Sequence, residues 1–125
     1  NLGLLEQKSW VNIEKSLALG ETINGHFVFG HVDYMAEVSE VISDGNSTIM
    51  RFKTEHSDSH LIAKKGSIAI NGVSLTVNKL IDHGFEVTII PHTKETTIMS
   101  EYKPGTIVNI EFDMLARYVE RILNK

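Results

Sequence analysis

The residues able to do chemistry in this chain are concentrated in three short stretches. The first, GHFVFGHVD, carries His26 and His31, each preceded by a glycine, Gly25 and Gly30. Imidazole is the side chain whose ordinary titration falls near neutral pH, where proton transfer is useful. Their i, i+5 spacing aligns them on neither a strand face nor a helix face, and no cysteine joins them, so no metal site is expected. The glycines indicate turns or a close backbone approach, which a flat ligand can exploit. The plainer reading has each histidine capping a barrel end and bonding to backbone.

The second stretch, KKGSIAINGVSLTVN, places Ser74 and Thr76 between Val73, Leu75 and Val77. A strand there has one hydroxylic face and one apolar face. If the apolar face fills an interior, the two hydroxyls point outward and can bond the edge of a polar heterocycle. An ordinary solvated strand face gives the same pattern. No acid or base is adjacent in sequence, so a Ser-His-Asp triad is not indicated. The third stretch, IIPHTKETT, sets Pro91 and Thr93 just beyond a strand, where loops commonly meet ligands. Thr93 is equally suited to cap a short helix. Nucleotide motifs of the GxGxxG, Walker or HExxH kind do not occur.

Several elements must position these groups. Ser9–Leu17 alternates enough for a strand, and so does Gly30–Ser43 through Val32, Tyr34, Ala36 and Val38. Asp44-Gly45-Asn46 predicts a turn into Ser47–Thr54, and Asn71-Gly72 a tight hairpin between Ser67–Ile70 and Val73–Leu80. Asp82–Gly84 turns the chain into Phe85–Ile90, and Pro104-Gly105 turns it into Ile107–Asp113. Short helices are expected at Ser57–Ala63 and Thr93–Met99. In Met114–Asn124, Leu115, Tyr118, Val119 and Ile122 share one helical face, which defines an amphipathic helix. Hairpins without βαβ alternation predict an all-β barrel or sandwich, and closure into a barrel removes exposed edges.

The chain has 125 residues, 42% hydrophobic and 22% charged, which suits one globular domain. A net charge of −4 argues against a partner held through phosphates, nucleic acid included. With no cysteine, disulfides and thiolate chemistry are excluded. No apolar run approaches the roughly 20 residues of a membrane helix, and no signal peptide is visible. A cytoplasmic location is the expectation, with the sequon at Asn46-Ser47-Thr48 a chance match. VNIE occurs at Val11–Glu14 and again at Val108–Glu111, each copy followed by an apolar segment with an alanine. A tandem duplication is inferred. With a first residue other than Met, this gives the expected organisation. Residues 1–18 are the tail of a preceding repeat, 19–113 a second barrel, and 114–125 an oligomerisation helix.

The blocks GHFVFGHVD, KGSIAINGVSLTVN, IIPHTKETT and GTIVNIEFDMLARYVER, in that order over residues 25 to 121, resemble the riboflavin synthase family of lumazine-binding repeats. The resemblance implies two six-stranded antiparallel Greek-key closed barrels per chain, with short helices and a C-terminal amphipathic helix through which three chains associate. It implies dismutation of two 6,7-dimethyl-8-ribityllumazine molecules by four-carbon transfer, giving riboflavin and 5-amino-6-ribitylamino-uracil, without a cofactor. The site lies between the first barrel of one chain and the second barrel of a neighbour. Carried onto this sequence, substrate contacts fall at Gly30, His31, Val32, Lys65, Ser74, Leu75, Thr76, Ile89, Ile90, Pro91, His92, Thr93 and Lys94. His31, Ser74 and Thr76 are the expected catalytic groups, with His31 as acid or base. Asn71 stands where some members carry Asp, and His92 where an acidic residue can occur. The family's first barrel, with its N-terminal aromatic residue and a Cys, has no counterpart here, so the chain alone is expected to be inactive. The alternative is a non-catalytic lumazine- or flavin-binding protein of the same repeats.

Overall fold

A computed structural model describes residues 1–124. Strands β1 (Tyr34–Asp44), β2 (Ser47–Lys53), β3 (Ser67–Ile70), β4 (Val73–Ile81), β5 (Gly84–Ile89) and β6 (Ile107–Phe112) are all antiparallel and close in the order β1-β2-β5-β4-β3-β6. Helix α1 (Pro91–Thr96) follows β5, and α2 (Met114–Leu123) follows β6. Single 3-10 turns form at Leu2–Leu4, Ser57–Leu61 and Ile98–Glu101. The six-stranded closed barrel with short helices is the architecture the sequence predicts.

Period-two alternation builds the interior. Met50 and Phe52 of β2 face Val87 and Phe85 of β5 in register, and Val108, Ile110 and Phe112 of β6 complete the wall. The Phe52 and Phe85 rings stack 5.3 Å apart. Gly84 lies so close to β2 that an added Cβ would stand 2.0 Å from the Phe52 carbonyl oxygen. At the β3–β4 hairpin, Asn71 and Gly72 both adopt positive φ, 46° and 80°, as a tight primed turn requires. A bulge between Val77 and Lys79 then resets β4 against β5.

Some expected elements differ. Ser9–Leu17 forms no strand, because the closed barrel leaves no edge for it to pair with. β1 begins at Tyr34, not Gly30, since residues 30–33 run outside the β1–β6 ladder apart from the Asp33 amide, which donates to Ile110 O. The helix expected at Thr93 starts at Pro91, with Pro at its first turn and Ile90, not Thr93, as N-cap. A 3-10 turn replaces the helix at Ser57–Ala63.

Helix α2 meets the barrel with its polar side. Arg117 pairs with Asp33 at 2.5 Å, and Glu120 with His60 at 2.6 Å. Asp113 caps its first turn by accepting from the Leu115 amide. The stripe of Leu115, Tyr118, Val119 and Ile122 is left exposed on this chain. The last residue of the 114–125 segment lies outside the described residues. No helix among the described residues is long and apolar enough to cross a membrane.

Candidate functional site

The hairpin register sets Ala69 opposite Ser74 on one side and opposite Glu111 on the other. Three neighbouring strands therefore present Ser74, Ala69 and Glu111 in a row on the outer wall, because Val73 and Leu75 point into the core. The segment Gly25–Phe29 lies across this row. An added Cβ on Gly25 would stand 2.4 Å from Ser74 Oγ, so glycine permits the approach. His26 Nδ1 meets Ser74 Oγ at 2.7 Å, and the Phe29 amide donates to Glu111 Oε1 at 2.8 Å. Glu111 is buried although it faces outward, and Phe29 supplies the donor that a buried carboxylate needs.

Ser74 also lines a cleft of about 810 Å³, together with Gly72, Val73, His92, Thr93 and Ile98. Its remaining side is the arm Trp10–Glu14. One wall is thus the β3–β4 turn and the other is α1 with the following 3-10 turn. The unbonded Nε2 of His26 is buried. A serine hydroxyl within hydrogen-bond reach of an imidazole is the geometry in which the ring orients the hydroxyl or takes its proton. The carboxylate that completes a triad does not bond this ring.

The expected site residues divide into groups. Ser74, His92 and Thr93 share the cleft. Thr76 faces outward beside Ser67, exposed and beyond the cleft lining. Leu75 packs against the core and Ile89 is inside it, so these two offer backbone rather than side chain. Ile90 and Pro91 are exposed at the start of α1, while Lys94 turns its ammonium to Thr48 Oγ1 at 3.2 Å. Lys65 holds a positive φ of 68° in the turn before β3, its amide bonded to Val77 O. Gly30 and Val32 are exposed in the segment leading to β1. His31 stacks on Phe29, ring centroids 6.0 Å apart, and bonds neither Ser74 nor Thr76. The histidine on Ser74 is His26, not His31, the one expected to act as acid or base. Gly25 was the available signal. Glu111 was also missed; it ends the second VNIE copy, on a strand face where a charge would otherwise be solvated.

Burial governs the phenols below. Tyr102 is pushed up to about 12, mainly by desolvation, while donation from Asn71 Nδ2 at 2.5 Å opposes the rise. Tyr34, stacked on His56 at 4.6 Å, is also raised, with burial the leading cause.

The fold and site define a class of small closed antiparallel barrel with a cleft on its outer wall, beside a histidine-bearing strap. The lumazine binding domain family matches residues 29–113. The chain is 42% identical to the riboflavin synthase of Actinobacillus pleuropneumoniae and 39% identical to that of Bacillus subtilis. Both alignments cover 100% of this chain and 58% of the relative. It is 44% identical to the riboflavin synthase of Brucella abortus, over 90% of this chain and 55% of that one. Among solved structures, LumP complexed with riboflavin superposes with a TM-score of 0.68 at 20% identity, over 74% of this chain and 50% of that chain. LumP complexed with 6,7-dimethyl-8-(1'-D-ribityl) lumazine gives 0.66 at 19% identity, over 76% and 51%. These two show likeness of fold. The chain belongs to the lumazine binding domain family. It spans a little over half the length of the curated relatives it matches.

Proposed function

We propose that this chain is the second lumazine-binding barrel of a riboflavin synthase. It holds one 6,7-dimethyl-8-ribityllumazine on its outer wall, at the cleft between the Ser74 strand and the Pro91–Thr96 helix. The observation that carries the reading is the Ser74 hydroxyl, held by His26 at the mouth of a cleft walled by His92 and Thr93. Identities near 40% to proteins named riboflavin synthase favour the enzyme over a carrier of the same fold.

The reaction needs little covalent help. Two identical lumazines exchange a four-carbon unit, so one becomes riboflavin and the other 5-amino-6-ribitylamino-uracil, with no oxidant and no cofactor. Loss of a proton from the 7-methyl group gives a carbanion delocalised into the ring. The protein holds two rings face to face, worth up to roughly 7–11 kcal/mol in pre-organisation. It also supplies fixed donors for the anion and moves protons near neutral pH. On this barrel Ser74 and His26 take the orienting and proton-handling place first expected of His31. Of the other expected contacts, His92 and Thr93 line the same cleft as Ser74 and bind the ring there.

The other lumazine comes from the first barrel of a neighbouring chain. The exposed α2 stripe supports association of three chains, as expected of a homotrimer in the cytoplasm. One experiment tests the whole reading. The 125-residue chain is titrated with the fluorescent lumazine, and the two-repeat protein is assayed for riboflavin release. Binding with turnover supports the enzyme, and binding without turnover supports the carrier. Failure of the chain to bind lumazine overturns both.

A further inference from the structure

The two walls of the cleft are joined by a residue that belongs to neither. Asn12, in the arm before the barrel, donates from Nδ2 to the Asn71 carbonyl oxygen at 2.9 Å. Its Oδ1 accepts from the Ile98 amide, also at 2.9 Å. Asn71 is the tip of the hairpin that carries Ser74, and Ile98 opens the 3-10 turn behind His92 and Thr93. One wall therefore presents a carbonyl and the other an N–H. A carboxamide satisfies both because it carries an acceptor and a donor on one rigid plane.

We infer that Asn12 is a positioning residue, a two-ended clamp that sets the spacing between Ser74 and the His92–Thr93 wall. The hairpin tip is already fixed on its inner side. Asn71 makes two bonds to the Asn109 backbone of β6, its side-chain Oδ1 accepting from the Asn109 amide at 2.8 Å and its own amide donating to Asn109 O at 2.9 Å. What the barrel does not fix is the outer side, and there Asn12 is the bridge. Asn12 and Asn109 are equivalent positions of the two VNIE copies, so the hairpin tip is gripped between both copies of one tetrapeptide. A residue contributed by the tail of one repeat thereby tunes the ligand cleft of the next.

The inference rests on the lumazine reading for its ligand but not for its geometry, and the test separates the two. In the unliganded chain, Asn12→Ala speeds hydrogen exchange of the Ile98 amide about tenfold, and lumazine Kd rises about fivefold, the loss of roughly one hydrogen bond. The barrel itself stays folded, because Asn12 is not part of its core cluster. Asn12→Gln, with the same two groups on a longer stem, recovers part of the affinity, whereas Asn12→Asp, which has no donor, does not. Unaltered Ile98 exchange in Asn12→Ala overturns the clamp. Altered exchange with unaltered Kd overturns its positioning role. If the unmodified chain binds no lumazine, the functional reading fails, and Ile98 exchange alone decides the clamp.

Discussion

His26 Nδ1 and Ser74 Oγ meet at 2.7 Å across 48 residues of chain, one on a glycine-led strap and the other on the outer face of the barrel. Neither residue reaches this geometry through its own strand or turn. The strap is brought down because Gly25 has no side chain to collide with Ser74.

If this bond orients the ligand, the two residues act as one unit. Ser74→Ala and His26→Ala each weaken lumazine binding, and the double variant is weaker than either by less than the sum. The coupling is about 1 kcal/mol in a double-mutant cycle read from Kd. Strictly additive losses would show that the pair does not cooperate. In the two-repeat protein, Ser74→Ala lowers kcat by about a hundredfold if the pair moves a proton.

Gly84 makes a different demand. Its missing Cβ leaves room for the Phe52 carbonyl, and backbone cannot step aside as a flexible side chain can. Gly84→Ala should cost about 3 kcal/mol of unfolding free energy by forcing β2 from β5. A urea midpoint within error of the unmodified chain would contradict this.

The His60–Glu120 pair ties α2 to the barrel at 2.6 Å. The His60 pKa is raised first by its hydrogen bond to Glu120, with the Ser57 carbonyl assisting. Its contribution is complete below the ordinary histidine value and disappears as pH rises through the higher folded value. The protection factors of the α2 amides, which remove the intrinsic rise of exchange with pH, should therefore fall on going from mildly acid to alkaline solution. Glu120→Gln should remove that dependence. A helix equally protected at both ends of the range, in both proteins, would rule the tie out.

Tyr102 gives the opposite end of the scale. Its phenol ionises near 10 when unfolded and is raised to about 12 in the barrel. Stability is thus intact below pH 10 and declines from there as the unfolded state loses its proton first. A phenolate absorbance titration should show a step near 12 that disappears in Tyr102→Phe. All three tyrosines ionising together near 10 would refute it.

The sequence by itself determined the barrel, most of its strands and its family. Alternating apolar residues at Met50, Phe52, Phe85 and Val87 admit one inward face, and Asn71-Gly72 admits one turn, so these are local properties written in residue type. The hydroxyl of Ser74 was legible in the same way. Tertiary structure alone decided which histidine meets it, that Glu111 is buried, that α2 docks by its polar side, and that Ser9–Leu17 stays unpaired. Each of these depends on what a distant segment covers or leaves open. Barrel closure removes every free edge, and the strap crosses three strands at an angle that no sequence period encodes. Spacing along the chain reports which face a side chain takes; contact across that face is set by the packing of segments far apart in sequence.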